Sequence, residues 1–278
     1  MLKSSYQLCT LFGIPIRLDA SLIILFIILI SSYRDPVWGI GAGLVLLLSI
    51  TLHELGHSLV AKAFGCRVKD ITLMIIGGCA SMVTLPQKAW QELLVALAGP
   101  AVSLVLGLLG LFVLPQLVVD SSRELAQFIV LQVGYLNAGL FLFNLLPAFP
   151  MDGGRVLRAL LQQFFMGKAK ATWIASRIGK FIAILFALSV LWSWLFNQFE
   201  SWYFTRLLIA YFIYRSAEQE YRMVLMEEGR EPFTPFWGSF FNRQHDEPPE
   251  DDGKVVIGPA PYDRWGGKTR VDIHRDDR

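Results

Sequence analysis

Charged residues are scarce in this chain of 278 residues. Asp, Glu, Lys and Arg together make up 17% of the sequence, whereas 54% of the residues are hydrophobic. This balance is too apolar for an ordinary soluble domain. The net charge of +2 is small, and the sequence has no basic stripe, so we expect no nucleic-acid partner.

Cysteine is also rare, and the sequence shows no clear leader segment. The three cysteines, Cys9, Cys66 and Cys79, are scattered and have no metal-binding or redox spacing. Their odd number argues against a disulfide framework. Polar residues and Pro15 precede the first apolar run, so we expect no cleaved signal peptide.

Long apolar segments are abundant, and several approach or exceed the length needed to span a bilayer, about 20 residues. They predict an all-α polytopic membrane protein that contacts the lipid bilayer through about six transmembrane helices. The predicted spans are residues 21–33, 37–64, 93–119, 125–146, 181–196 and 202–214. Residues 65–90 are rich in glycine and β-branched residues and lack a helical period, which predicts a small β-hairpin or re-entrant element.

The distribution of apolar segments and charged residues predicts three regions along the chain. Residues 1–19 are expected to form a membrane-surface arm containing a strand or hairpin, and residues 20–217 the transmembrane core. Residues 218–278 are expected to form a tail, first a charged helix and then largely disordered chain. Basic residues cluster in the link between the fourth and fifth spans and after the sixth, which predicts that both termini are cytoplasmic.

The second apolar segment contains a polar cluster, His53, Glu54 and His57. Such residues are costly inside a membrane helix, so their presence indicates function. The two histidines are four residues apart and share a helical face, from which both imidazoles can reach one metal ion. Glu54 is placed to act as a general base on water at that metal.

A catalytic zinc ion takes three protein ligands, so a third one is needed. The two other histidines, His245 and His274, lie in the presumed disordered tail, which favours a carboxylate. Asp152 is the preferred candidate because it follows a helix broken by prolines, and Gly153 and Gly154 free the backbone to aim its side chain. The alternative role for Asp152 is to cap the next helix. The less favoured carboxylates are Asp19, Asp70, Glu92, Asp120 and Glu200.

HELGH in an apolar helix, followed by GGCA, AGPAVSL and NLLPAFPMDGGR, resembles the site-2 protease family of intramembrane zinc metalloproteases, peptidase family M50. The resemblance covers roughly residues 10–215, and the pairing of HExxH with N-x-x-P-x-x-x-x-D-G is far more specific than HExxH alone. It implies one catalytic Zn²⁺ held by His53, His57 and Asp152, with Glu54 as general base. It further implies that Asn144 helps to hold the substrate or the oxyanion, and that Gly77 and Gly78 border the substrate.

The resemblance implies a membrane enzyme that hydrolyses a peptide bond in or near the transmembrane segment of single-span membrane proteins. We expect it in a prokaryotic cell (inner) membrane. We also expect a minimal form of the family, because neither a PDZ nor a CBS domain is visible in the sequence. One alternative is a metal transporter or sensor that uses the same three ligands. The single cluster near one membrane face counts against it. The other is a binder of transmembrane helices that does not cut them, and the intact Glu54 counts against that role.

Overall fold

The computed structural model describes residues 5–33, 35–75, 77–82, 84, 86, 88–118, 124–196 and 203–229. The described part of the chain begins with two strands and two helices, continues with two further strands, and is then mainly helical to Glu227. Its strands are β1 Ser5–Leu11, β2 Ile14–Asp19, β3 Val68–Met74 and β4 Gly77–Met82. Its helices are α1 Leu22–Ser32, α2 Pro36–Ala63, α3 Ala89–Leu108, α4 Leu114–Leu117, α5 Glu124–Asn144, α6 Asp152–Phe164, α7 Lys168–Phe196 and α8 Tyr203–Glu227, with a π-helical turn, Leu109–Val113, between α3 and α4.

The four strands form one sheet in the order β1-β2-β3-β4. β1 pairs with β2 and β3 with β4 in antiparallel fashion, whereas β2 and β3 run parallel. The inward side chains of β2 and β3 pack against α1 and α2 in a cluster that contains Ile14, Ile16, Leu22, Leu55, Ile71 and Leu73. The sheet is thereby fixed against the helix that carries the HExxH motif.

The predicted fold, mainly helical with a small β element, is present in outline, but the N-terminal strands β1 and β2 join β3 and β4 in one four-stranded sheet, which was not predicted. An antiparallel β3–β4 pair lies within residues 65–90, but its depth in a membrane stays a prediction. The parallel β2–β3 contact joins segments that are separated by α1 and α2. A local pattern of residues does not indicate such a distant pairing.

Among the described residues, four helices are long and apolar enough to cross a membrane: Pro36–Ala63, Ala89–Leu117, Glu124–Asn144 and Lys168–Trp194. The first predicted span corresponds to α1, which has only 11 residues. The sixth predicted span corresponds to the start of α8, which continues through charged residues to Glu227. The number of six spans stays a prediction, as do the three regions, and the tail from residue 230 lies outside the described residues.

Helix α7 begins 13 residues before the predicted fifth span, at Lys168 rather than residue 181. Three basic residues in this added portion have partners within the helix pair α7 and α8, the first being Lys168, which pairs with Glu227. Lys180 donates to Glu218 of α8, and Arg177 lies over the ring of Trp173. These contacts stabilise the basic side chains, so α7 continues through the region that was predicted to be the basic link between the fourth and fifth spans.

The segment between α5 and α6 is packed into the body. Ala148 and Met151 pack with Ala183 of α7 and Ile213 of α8, and Phe149 is 1% exposed. This packing fixes the backbone immediately before Asp152, the first residue of α6. The sheet and this segment together position the two parts of the candidate site.

Candidate metal centre and active site

Three side chains that can ligate a metal converge where α2 meets the start of α6. The Oδ2 atom of Asp152 lies 3.1 Å from Nε2 of His53 and 3.1 Å from Nε2 of His57. The two Nε2 atoms are 3.2 Å apart. All three side chains are buried. The predicted grouping of two histidines one turn apart with a distant carboxylate is thus present in the structure.

The other nitrogen of each imidazole is held by α3. Nδ1 of His57 donates to the backbone carbonyl of Val95 at 2.6 Å, since a carbonyl oxygen can only accept. Nδ1 of His53 lies 2.9 Å from Oγ of Ser103 and can donate to it in the same way. A neutral imidazole with a protonated Nδ1 keeps a lone pair on Nε2. Both lone pairs are therefore available to a metal ion.

This set of donor atoms fits zinc. Two imidazole nitrogens and a carboxylate oxygen are common ligands of catalytic zinc, at about 2.0–2.2 Å from the ion. Ligand atoms separated by 3.1–3.2 Å are compatible with those distances. Three acceptors in a buried space repel one another unless a cation lies between them. In zinc sites the ring nitrogen of a histidine that faces away from the metal usually donates a hydrogen bond, which fixes the orientation of the imidazole.

A glycine of α3 allows His57 to approach. A Cβ atom placed on Gly99 would overlap the imidazole of His57. Val95, Gly99 and Ser103 are spaced by four residues and therefore face α2 together. These three supporting residues were not predicted from the sequence. Their spacing of four residues is the only signal, and it does not reveal which helix they face.

Glu54 follows the first histidine and is half-buried beside strand β4. A Cβ atom on Gly78 would lie 2.6 Å from Cγ of Glu54 and 2.8 Å from Cγ2 of Ile50. Gly77 has a φ of +133°, which favours glycine at that position. β4 is the last strand in the sheet order, so its outer edge has no strand partner among the described residues, and its residue Gly78 adjoins Glu54.

All seven predicted site residues line one cleft, which has a volume of about 520 Å³. They are His53, Glu54, His57, Gly77, Gly78, Asn144 and Asp152. The amide nitrogen of Asn144 donates to the carbonyl of Leu140 at 2.9 Å. Because that nitrogen carries two hydrogens, one donor remains for another group. Most of the other lining residues are apolar.

The described carboxylates that were less favoured have other partners. Asp70 pairs with Arg17 at 3.5 Å, and Glu92 pairs with Arg158. The carboxylate of Asp19 accepts from the backbone of Ser21. Asp120, Glu200, His245 and His274 lie outside the described residues.

The comparison with known protein families agrees with this arrangement. Peptidase family M50 matches residues 41–131 and 116–186, a region that contains the HExxH motif and the proposed third ligand. The chain belongs to peptidase family M50. The predicted family is therefore confirmed.

Individual proteins support the M50 assignment. The chain is 37% identical over 225 residues to Zinc metalloprotease MJ0392 of Methanocaldococcus jannaschii, covering 80% of this chain and 62% of that protein. It is 35% identical over 249 residues to Putative zinc metalloprotease sll0528 of Synechocystis sp., covering 84% of this chain and 64% of that protein. The M50 chain thus spans less than two thirds of the length of these curated relatives.

A solved structure has a similar fold. The Site-2 Protease from Methanocaldococcus jannaschii superimposes with a TM-score of 0.56 at 35% identity, covering 84% of this chain and 99% of that chain. The relatives are named zinc metalloproteases, and the donor atoms of this M50 chain fit zinc. Zinc is therefore the cofactor, as predicted.

Proposed function

We propose that this M50 chain is an intramembrane zinc endopeptidase that hydrolyses a peptide bond in or near the transmembrane segment of membrane protein substrates. The observation that carries the proposal is the convergence of His53, His57 and Asp152 beside Glu54 in one cleft. A metal store or transit site has no use for a base beside its ligands. The four long apolar helices support a reaction that takes place within a membrane.

The proposed roles follow from the chemistry of each residue. His53, His57 and Asp152 would hold zinc, which when bound polarises the scissile carbonyl and lowers the pKa of water. Glu54 accepts a proton from the attacking water and delivers it to the nitrogen of the leaving amine. The free N–H of Asn144 donates to the carbonyl oxygen of the substrate and stabilises the negative charge that develops there.

Strand β4 supports a mode of substrate binding in which an extended peptide joins the sheet at its outer edge. Backbone hydrogen bonds to an edge strand recognise a peptide without requiring a particular sequence. Gly77 and Gly78 carry no side chains, so the peptide backbone can lie close to Glu54. A helical transmembrane segment must unwind to bind in this way. We infer that single-span membrane proteins, which lack packed neighbouring helices, are the substrates.

The proposed membrane arrangement follows from the distribution of basic residues. We propose a multi-pass protein of a prokaryotic cell (inner) membrane, with about six spans and both termini in the cytoplasm. Its support is the cluster of basic residues between the predicted fourth and fifth spans, namely Arg155, Arg158, Lys168, Lys170, Arg177 and Lys180. The cleft then lies near the cytoplasmic side, where water can reach it.

The test is cleavage of a tagged single-span reporter in reconstituted membranes, with zinc content measured on the same samples. Glu54→Gln is expected to abolish cleavage and to retain zinc, because it removes the base and leaves the ligands in place. Asp152→Ala is expected to lose zinc as well as activity. Full zinc retention by Asp152→Ala would contradict the ligand assignment. Zinc-loaded wild type that binds a panel of reporters but cuts none would favour a non-cleaving binder.

A further inference from the structure

Arg155 differs from the rest of the cleft lining in its charge. It is the one arginine or lysine among the described residues that line the cleft, and the acidic ones are Glu54 and Asp152. Arg155 is three residues after Asp152 on α6, so the two side chains lie on the same side of that helix, about 5–6 Å apart at Cβ. Its side chain is exposed. The guanidinium is thus one helical turn from a proposed metal ligand.

Within the part of the chain that the structure describes, Arg155 has no ion-pair partner, whereas nearby basic residues do. A second cavity of about 190 Å³ shares Arg155 and Met82 with the cleft. The charged residues of that cavity pair with one another: Arg158 with Glu92 and Glu220, and Lys168 with Glu227. Arg155 is therefore an uncompensated positive charge where the two cavities meet.

The guanidinium of Arg155 acts electrostatically on strand β4. Partial burial raises the pKa of the Cys79 thiol, Glu54 and Asp70 raise it further, and Arg155 lowers it. Cys79 lies between Gly78 and Ala80, two of the β4 residues that line the cleft. A peptide added to the edge of β4 would consequently be within reach of the guanidinium.

We propose that Arg155 determines substrate specificity by binding an acidic side chain of the substrate. This inference rests on the proposed protease function. A guanidinium forms paired hydrogen bonds with a carboxylate, and an arginine without an ion-pair partner is free to form them. Arg155 and the proposed metal ligand Asp152 are about 5–6 Å apart at Cβ, and the guanidinium extends further. Because an extended peptide rises about 3.3 Å per residue, the acidic residue would be roughly two to four residues from the scissile bond. A neutral or basic residue at that position leaves the guanidinium unpaired.

The test uses reporters that carry Glu, Gln or Lys at each position within this window. Wild type is expected to cleave the best Glu reporter with a kcat/KM about fivefold higher than the matching Gln reporter, mainly through KM, as expected for a partly exposed ion pair. Arg155→Gln removes this preference, and Arg155→Glu reverses it in favour of Lys. Arg155→Lys keeps a weaker preference for Glu. Zinc content should be unchanged in all variants.

The matched control is Arg215→Glu. Arg215 is an exposed arginine of α8 that lines neither cavity and has no partner among the described residues. This variant changes the net charge as Arg155→Glu does, and it should keep the wild-type preference for Glu. Loss of that preference in the control would mean that overall charge, and not Arg155, selects the substrate.

A binding measurement separates this inference from the proposed function. Reporter affinity is measured in a Glu54→Gln background, in which no cleavage is needed, with and without Arg155→Gln. A Glu-over-Gln preference that disappears with Arg155→Gln supports the inference even when no reporter is cut. An unchanged preference overturns it. A preference seen only in vesicles of anionic lipid also overturns it, since Arg155 would then bind lipid phosphate.

Discussion

Gly78 of β4 lies so close to Glu54 of α2 that a Cβ at Gly78 would be 2.6 Å from Cγ of Glu54. Gly78→Ala must therefore displace the carboxylate or the strand. We expect kcat to fall by about 10- to 100-fold, because small errors in the position of a catalytic group are costly. Zinc content should be retained, since the atoms nearest to a Cβ at Gly78 belong to Glu54 and Ile50 and not to the proposed ligands. The measurement is reporter cleavage together with metal analysis.

Gly139→Ala is the control for this prediction. A Cβ on Gly139 of α5 meets no atom within 4 Å, so the extra methyl group causes no displacement. Alanine also favours the helical state by up to about 1 kcal/mol over glycine. Cleavage by this variant should equal that of wild type. Equal activity of Gly78→Ala and Gly139→Ala would refute the proposed contact between strand and base.

Ser103 supports the metal site through His53. Ser103→Ala removes the oxygen that lies 2.9 Å from Nδ1 of His53. The imidazole is then less firmly oriented, and we expect zinc affinity to fall by about 10- to 100-fold, as when other hydrogen-bond partners of zinc-binding histidines are removed. The measurement is competition for zinc with a chelator of known affinity.

Ser58→Ala is a matched control because Ser58 is also fully buried, directly after His57. Its hydroxyl oxygen has no hydrogen-bond partner among the described residues. Removing it should leave zinc affinity unchanged. If both serine variants lose zinc to the same extent, general repacking of the helices, and not the bond to His53, explains the loss.

The sequence allowed the metal site to be predicted because its main residues follow local rules. His53 and His57 share a helical face because they are four residues apart. The prolines before Asp152 indicate that the preceding helix ends there. The supporting contacts of Val95 and Ser103 could not be predicted in this way, because they depend on how α3 packs against α2. The same limit applied to β2, whose parallel partner is separated from it by two helices.

The contact between α7 and α8 is expected to weaken in acid. The hydrogen bond from Lys180 lowers the pKa of Glu218; burial opposes this effect, and Arg222 adds to it. A carboxyl whose pKa is lower in the folded than in the unfolded state stabilises the fold at pH values above its unfolded-state pKa, about 4.3 for Glu. This contribution is lost as pH falls through the folded-state pKa. Glu218→Gln should therefore lower Tm at pH 7, and its difference from wild type should shrink below about pH 4.

Thermal unfolding in detergent at several pH values provides this measurement. Lys180→Met and the double variant complete a mutant cycle that isolates the pair from other effects of each substitution. The coupling between Lys180 and Glu218 should be present at pH 7 and absent at low pH. A coupling that does not change with pH would mean that the contact is not electrostatic.

Arg158 of α6 connects α3 and α8 through two ion pairs, to Glu92 and to Glu220. Its side chain is 8% exposed. Burial lowers the pKa of Arg158, but the two carboxylates outweigh this effect and raise it, so the group stays charged. Arg158→Met leaves two partly buried carboxylates without their partner, which should cost about 3 kcal/mol of unfolding free energy. The loss is measured as a shift of the denaturation midpoint.

The same substitution should also weaken zinc binding, because Arg158 shares α6 with Asp152, and Glu92 shares α3 with Val95. Replacing Arg158, Glu92 and Glu220 together by apolar residues is the decisive comparison. It removes all three charges at once, so stability should recover towards wild type. Recovery of stability without recovery of zinc affinity would show that the ion pairs orient α6 and α3 at the metal site. A single Arg158→Met variant as stable as wild type would contradict this role of the network.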